Sequence, residues 1–308
     1  MQAHVVFVHI GGDLPAHAHA ALAQARRFTG GPVTLVTTDL ARERCQINPG
    51  LRIETVTCES LGLSRAHEEF RRISPLDREF REGFWTHTTE RFFYLETLMR
   101  ALDLEDVIHL ENDVMLYEDV ASLLPVLRRN FAHVAATFDA PDRCIPGFVY
   151  IRDAGALTPL AAMFNELLGG PSGGWSDMAL IAEYRRRHPD RIGRLPVVTP
   201  DYPHPLRSAI DPVVRPLEEY AGLAGEFGGI FDAAALGQYL GGVDSRNSPE
   251  PDTRGFINET AVFDPSHYAY RWKVDAAGRR VPRVVLAERE WKILDLHVHS
   301  KTMAPFIS

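Results

Sequence analysis

DVIHLENDVMLYED, residues 106–119, is the stretch that decides what fold and chemistry to expect of this chain. A short apolar strand ends in the triplet Glu111-Asn112-Asp113, and a second apolar run follows. Residues two positions apart on a strand point to the same face, so the two carboxylates share one side. Burying such a pair is costly unless a cation joins it, and carboxylate oxygens suit Mg²⁺ or Mn²⁺. We predict a divalent metal site in which Asp113 ligates directly and Glu111 acts through water or on a bound ligand.

Size and composition indicate an ordinary globular protein. The chain has 308 residues, 45% apolar and 24% charged, with a net charge of −8. A negative net charge does not indicate the basic surface that binds nucleic acid. No apolar run is long enough for a transmembrane segment. Three widely spaced cysteines without a CxxC motif suit a reducing compartment, and the N-terminus lacks the basic region of a signal peptide. We therefore expect a cytoplasmic protein.

The first hundred residues predict an α/β fold. A strand over His4–Ile10, a helix over Ala16–Phe28 and a strand over Val33–Thr37 form a strand–helix–strand opening. A helix capped by Thr88 or Thr89 then leads into the acidic strand. This order favours a mixed, mostly parallel central sheet flanked by helices, whose ligands lie beyond the carboxyl ends of the strands.

A second group of candidate ligands lies near the C-terminus. Trp291–Val298 reads as one strand that carries Asp295, His297 and His299 on a single face. Histidines at this spacing can act as a pair of metal ligands, and Lys301 follows them in a chain with very few lysines. Lys301 would pair with a phosphate, and Asp295 would orient a histidine ring.

Four segments, in order, resemble glycosyltransferases of the GT-A fold, and most closely glycosyltransferase family 8, the galactosyltransferase and glycogenin-like group. ERFFYLETLMRALDLEDVIHLENDVMLYEDVASLLP (90–125) resembles that family's helix and D-x-D strand, with Glu111 in place of the first aspartate. FDAPDRCIPGFVYIRD (138–153) resembles its asparagine-alanine-glycine strand. WSDMALIAEY (175–184) resembles its acidic acceptor-side helix, and HVHSK (297–301) its terminal histidine and lysine.

This resemblance implies a metal-dependent hexosyltransferase that uses a nucleoside diphosphate sugar, with UDP favoured. A single GT-A-like domain would span 1–308, with a nucleotide-binding half over 1–125 and an acceptor-binding half over 126–308. Asp113 and one of His297 or His299 would hold Mn²⁺ or Mg²⁺, while Lys301 and Arg91 would neutralise the diphosphate.

The resemblance also implies where donor and acceptor bind. The donor's base, ribose and sugar would meet residues at strand ends and in the acidic triplet: His9, Gly11, Thr38, Asp39, Glu111 and Asn112. The acceptor would be a saccharide or glycoconjugate hydroxyl, as in bacterial surface polysaccharide synthesis. Asp177 is the candidate at the reacting centre, as a base, an acceptor anchor or simply a helix cap; Asp232 and Glu259 are weaker candidates for that role.

Three other interpretations remain open. LDLHVHS resembles the D-L-H-x-H-S opening of the metallophosphoesterases related to histidinol phosphatase, although there the motif begins the chain's barrel and here it ends the chain. A nucleotidyltransferase would share the sheet, but Gly11-Gly12 has no nearby basic residue. A catalytically inactive nucleotide-sugar-binding protein would keep the fold without the reaction.

Overall fold

The computed structural model describes residues 3–171, 173–248 and 254–308. The strands described are β1 (His4–His9), β2 (Val33–Thr37), β3 (Glu54–Thr57), β4 (Val107–Leu110), β5 (Val114–Leu116), β6 (Val134–Ala140), β7 (Arg143–Ile151), β8 (Ile192–Arg194), β9 (Gly229–Ile230), β10 (Ala269–Val274), β11 (Arg280–Leu286), β12 (Arg289–Ile293) and β13 (Asp295–His297). The helices described are α1 (Ala16–Phe28), α2 (Asp39–Arg44), α3 (Cys58–Leu61), α4 (Arg65–Ile73), α5 (Phe84–Ala101), α6 (Val120–Asn130), α7 (Ala154–Leu168), α8 (Asp177–Arg187), α9 (Glu218–Ala221), α10 (Ala224–Phe227) and α11 (Ala235–Gly241).

A seven-stranded sheet in the order β3-β2-β1-β4-β7-β6-β8 forms the centre of the molecule. β7 pairs antiparallel with β4 and β6, and the other neighbouring pairs in this sheet are parallel. Side chains along β1 alternate between two cores: Val5 and Phe7 face one, Val6 and Val8 the other. Helices cover both faces, as the continuous apolar sequence of the strands requires. The predicted mixed, mostly parallel sheet is confirmed.

A small two-stranded sheet brings the C-terminal segment beside the acidic triplet. β13 pairs antiparallel with β5, and His297 lies opposite Val114 in the register. A separate four-stranded sheet in the order β10-β11-β12-β9 lies beside it. Residues nearly two hundred positions apart in sequence therefore meet at the carboxyl edge of the central sheet.

Two predicted element boundaries are wrong. The strand predicted over Trp291–Val298 is broken at Leu294, because this residue donates its N–H to Ile230 (2.9 Å) and accepts from Tyr117 (2.9 Å). The chain thus changes partner from β9 to β5 at that point. The helix predicted to begin at Thr88 or Thr89 begins at Phe84, where a left-handed Gly83 ends the preceding turn.

Within the part of the chain that the structure describes, no helix has both the length and the apolar character needed to cross a membrane.

Candidate metal centre

The acidic triplet forms a tight turn between β4 and β5. The Glu111 N–H donates to the Gly147 carbonyl (3.0 Å), and the Val114 N–H donates back to the Glu111 carbonyl (3.1 Å). The Asn112 side-chain amide donates to the carbonyl of Val8 at the end of β1 (3.2 Å). The turn is therefore fixed from both neighbouring strands, and it presents the Glu111 and Asp113 carboxylates to one side.

His297 meets this turn from β13. Its Nε2 lies 3.1 Å from Asp113 Oδ2 and 3.6 Å from Glu111 Oε2. One donor atom from each of these three residues lies within 4.8 Å of the others. A side chain at Gly147 would place its Cβ only 2.9 Å from the histidine Nδ1, so glycine at this position leaves room for the ring.

Lys301 completes the group by pairing with Asp113. Its ammonium group contacts Asp113 Oδ2, and its backbone adopts a left-handed conformation with φ of 64°. The Lys301 N–H donates to the Val298 carbonyl (2.9 Å), which closes a turn after β13. A lysine rather than a glycine at a left-handed position costs free energy, which indicates that its placement is determined by the surrounding contacts.

Each charged side chain in the group stabilises the ionised form of its oppositely charged neighbours. Burial would raise the pKa of Asp113, but His297 and Lys301 hold it well below the ordinary value. Burial would lower the pKa of His297, but Asp113 and Glu111 raise it to about 9. Burial opposes ionisation of Glu111 as well, yet Arg91 lowers its pKa. Both carboxylates are therefore ionised, and a cation bound between them would replace the proton on His297.

Arg91 links the turn to α8. One guanidinium nitrogen contacts Glu111, and another lies 2.6 Å from Asp177 Oδ2, with both Arg91 and Asp177 side chains under a tenth exposed. Ser176 is the helix cap, since its hydroxyl accepts from the Ala179 N–H (3.3 Å). Asp177 is therefore not a simple cap, and burial raises its pKa even beside Arg91.

Asp232 lies behind the site and is fully buried. Its carboxylate accepts the backbone N–H groups of Leu236 (2.9 Å), Gly237 (2.8 Å) and His297 (3.0 Å). A Cβ at Gly237 would lie 1.8 Å from the His297 carbonyl oxygen, so α11 and β13 touch through their backbones. Burial raises the pKa of Asp232 to about 6. These contacts suit a residue that positions His297.

The predicted base and ribose residues lie at the ends of β1 and β2. The Thr38 hydroxyl donates to the Gly11 carbonyl (2.7 Å), which joins the two loops. His9 has a buried Nε2 without a partner among the described residues, and burial lowers its pKa. The Asp39 side chain is half exposed and pairs with Arg42 at 3.2 Å. The end of β1 is joined to the acidic turn by the hydrogen bond from the Asn112 amide to the Val8 carbonyl.

The two remaining predicted residues of the C-terminal strand face elsewhere. His299 Nδ1 accepts the N–H of Asp244 (3.0 Å), and its ring centroid lies 6.3 Å from that of His297. His299 is outside the three-residue group that could hold a metal. Asp295 accepts the Asp232 N–H (3.2 Å), so it contacts the backbone behind the site. The paired-histidine arrangement of the phosphoesterase interpretation therefore finds no support.

Sequence reasoning missed three residues beside this group. His17 opens α1, and burial lowers its pKa to about 4, with further effects from Asp113 and Lys301. Asp244 and Arg246 pair with each other at 2.7 Å near His299. Since these residues lie in an ordinary helix start and an irregular loop, no periodicity or motif in the sequence marked them.

The donor set fits a hard divalent cation. Two ionised carboxylates and one imidazole are ligands that Mn²⁺ and Mg²⁺ accept, and their atoms are already within a few ångströms of a common point. Lys301 lies at the edge of the same group and could contact an anion bound to the metal. The arrangement can thus hold a cation and a phosphate group together.

No family model matches the chain, and no curated protein matches it. Among solved structures it is similar to apo mouse xyloside xylosyltransferase 1 (TM-score 0.45, 11% identity, 64% of this chain and 86% of that chain). It is also similar to the galactosyltransferase LgtC in complex with donor and acceptor sugar analogs (0.41, 12%, 63% and 73%). The apo-form glycosyltransferase GlyE of Streptococcus pneumoniae TIGR4 is a further match (0.41, 12%, 63% and 45%). These likenesses are distant, and the chemistry of the site has to be judged from its own side chains.

Proposed function

We propose that this protein is a metal-dependent glycosyltransferase that moves a sugar from a nucleoside diphosphate sugar to an acceptor hydroxyl. The observation that carries the proposal is the convergence of Glu111, Asp113 and His297, with Lys301 paired to Asp113. A metal ion held by carboxylates, with an ammonium group beside it, matches the negative charge of a diphosphate ligand. UDP is the favoured nucleotide because of the sequence resemblance, and Mn²⁺ or Mg²⁺ the favoured ion.

Each residue has a separate task in this proposal. Asp113 and His297 hold the cation, and Glu111 orients the donor or a metal-bound water. When bound, the cation supplies positive charge that stabilises the departing diphosphate. Lys301 shares in that stabilisation by exchanging its contact with Asp113 for one with a phosphoryl oxygen.

In this proposal, the acceptor binds on the side of α8. Arg91 connects Asp177 to Glu111, so the start of α8 and the acidic turn belong to one ion-paired network. We assign the acceptor hydroxyl to the Asp177 side of this network, with a saccharide or glycoconjugate as substrate. His9, Gly11, Thr38 and Asp39 would hold the base and ribose.

Ligand-dependent stability tests the proposal. Thermal unfolding is measured with UDP, with GDP and without nucleotide, each with and without Mn²⁺. A ligand at a hundred times its dissociation constant adds about 2.7 kcal/mol to the free energy of unfolding. We expect stabilisation by UDP that requires Mn²⁺, and slow release of free sugar from UDP-sugars.

Two outcomes would contradict this proposal. If neither nucleotide stabilises the protein in the presence of Mn²⁺, the metal–diphosphate site is wrong. If UDP and Mn²⁺ stabilise it but UDP-sugars are never turned over, with or without added saccharides, the protein is an inactive nucleotide-sugar-binding protein instead of an enzyme.

A further inference from the structure

Residues 243–248 lie against the second histidine of the C-terminal pair. The Asp244 N–H donates to His299 Nδ1 (3.0 Å). The Asp244 carboxylate accepts the Arg246 N–H (2.9 Å) and Arg246 Nη2 (2.7 Å). The Arg246 carbonyl accepts from Arg81 Nη2 (2.6 Å). His299 and Arg81 therefore fix the backbone of this segment, and Asp244 fixes the arginine side chain.

Arg246 differs from Arg91 and Lys301 in having a side chain that is more than half exposed. Both Arg91 Nη atoms contact carboxylates, and the Lys301 ammonium contacts Asp113. Asp244 occupies Nε and Nη2 of Arg246. The Arg246 side chain is 53% exposed, so it is open to a ligand.

Contacts connect Arg246 to the metal group: Asp244, its ion-pair partner, donates its N–H to His299 Nδ1 (3.0 Å), and the His299 ring centroid lies 6.3 Å from that of His297. The pKa of Arg246 is raised chiefly by the hydrogen bond with Asp244, and the charge of Asp113 adds to the effect. A leaving diphosphate carries several negative charges. A metal ion and a lysine that is already paired with a carboxylate do not fully neutralise them. A further, partly exposed guanidinium would bind phosphoryl oxygens well, because its planar donors match them.

We propose that Arg246 binds the donor's diphosphate together with Lys301, and that Asp244 and His299 position it there. This inference rests on the proposed function above and adds a residue to it. It also gives the second histidine a role: His299 holds the segment that carries Arg246, while His297 faces the metal. Arg246 is the residue that touches the ligand, and His299 and Asp244 act through it.

Arg246→Gln tests the contact with the diphosphate. Affinities for UDP, UMP and uridine are measured by calorimetry with Mn²⁺ present. We expect UDP affinity to fall about tenfold or more, with uridine affinity and Mn²⁺ affinity unchanged. Arg289→Gln is the matched control, because it removes one exposed arginine at the start of β12. Equal losses for UDP and uridine would mean that Arg246 only supports the fold.

His299 variants test the positioning. His299→Ala leaves the Asp244 N–H without its acceptor and should weaken UDP binding nearly as much as Arg246→Gln. His299→Asn keeps an acceptor near the position of Nδ1 and should restore most of the affinity. The double variant Arg246→Gln/His299→Ala should lose no more than Arg246→Gln alone, because both act through one contact. Additive losses would overturn the positioning role.

The two levels of the proposal fail differently. If the wild-type protein binds UDP with Mn²⁺ and Arg246→Gln binds it equally well, this inference is wrong and the proposed function stands. If the wild-type protein binds no nucleoside diphosphate under any of these conditions, the proposed function fails and this inference fails with it.

Discussion

Two buried carboxylates, Asp113 and Glu90, each contact a histidine and a basic side chain. The two clusters differ in the number of carboxylates that they contain. Glu90, on α5, contacts His67 Nε2 at 2.7 Å, the guanidinium of Arg71, and His87 Nδ1 at 3.5 Å. There, one carboxylate faces several potential cations. At the acidic turn, two ionised carboxylates converge on one histidine.

The difference separates a structural cluster from a candidate binding site. Around Glu90 the charges are already matched, and His67 is fully buried and stacked on Phe93 with ring centroids 5.3 Å apart. Around Asp113 a second carboxylate, Glu111, remains within 3.6 Å of the same imidazole. Two carboxylates that converge on one imidazole offer a metal ion three ligands, whereas the single Glu90 carboxylate is already bonded to His67 and Arg71.

Asp113→Asn should produce the largest effect. An amide oxygen is a weaker ligand than a carboxylate, and its NH₂ group would oppose both the cation and Lys301. We expect Mn²⁺-dependent UDP affinity to fall more than about 100-fold, since even residues that only support a metal ligand cost about 10–100-fold. Calorimetric titration of UDP into the Mn²⁺-loaded protein measures this.

Asp190→Asn is the matched control for that variant, because Asp190 is exposed after α8. It should bind UDP as the wild-type protein does. Wild-type affinity in Asp113→Asn would mean that the metal lies elsewhere in the molecule.

Glu90→Gln should affect stability and leave metal binding intact. The variant removes the carboxylate charge that His67, His87 and Arg71 contact. The free energy of unfolding should therefore fall by about 3 kcal/mol at pH 7. His67, His87 and Arg71 hold the pKa of Glu90 below its ordinary value of 4.5, against the effect of burial. A lowered pKa gives stability that is present above pH 4.5 and lost as the pH falls below it.

The difference between wild type and Glu90→Gln should therefore shrink between pH 4.5 and pH 3. Urea unfolding at pH 7, 4.5 and 3 measures it. A difference that stays constant with pH would show that the charge of Glu90 contributes nothing, and weakened Mn²⁺ binding would show that the two clusters are coupled.

Gly147→Ala should displace His297 without removing any ligand. The new Cβ would lie 2.9 Å from His297 Nδ1 and 3.2 Å from Val114 Cγ2, so the ring has to move. We expect Mn²⁺-dependent UDP affinity to fall about tenfold, in line with changes that disturb the support of a ligand. Gly30→Ala is the control, since its Cβ would meet nothing within 4 Å. Equal behaviour of the two variants would remove His297 from the metal site.

Two neighbouring arginines on α4 give the smallest expected effects. Arg71 reaches the buried Glu90, whereas Arg72 pairs with Glu69 on the surface, with side chains 69% and 43% exposed. We expect Arg71→Gln to cost about 1 kcal/mol of unfolding free energy and Arg72→Gln less than about 0.5 kcal/mol. Chemical denaturation of both variants checks the order, and the reverse order would contradict the account of the Glu90 cluster.

Local patterns were enough to predict the central sheet and the acidic turn. The apolar runs of β1, β2 and β4 each end in polar residues, and parallel strands bring such ends to one edge. The prediction of Asp113, Glu111 and His297 as neighbours also depended on the family resemblance, because nothing local in the sequence brings β13 to β5. The coordinates place the three together.

Other features depended on tertiary contacts that a sequence does not display. The break at Leu294 arises because one residue bonds to two different neighbours. His299 faces Asp244 because β13 ends at His297, so the alternation expected of a continuous strand stops there. Arg246 belongs to an irregular loop, and its place beside the site follows only from contacts with residues more than fifty positions away.

The most direct test is the position of the metal itself. A crystal grown with UDP and Mn²⁺, measured near the manganese absorption edge, locates the ion by its anomalous scattering. The account predicts one peak bonded to Asp113 and His297, with the two phosphoryl groups on its other side and Lys301 beside them. A manganese peak outside this group, or UDP bound with its diphosphate away from the acidic turn, would contradict the account.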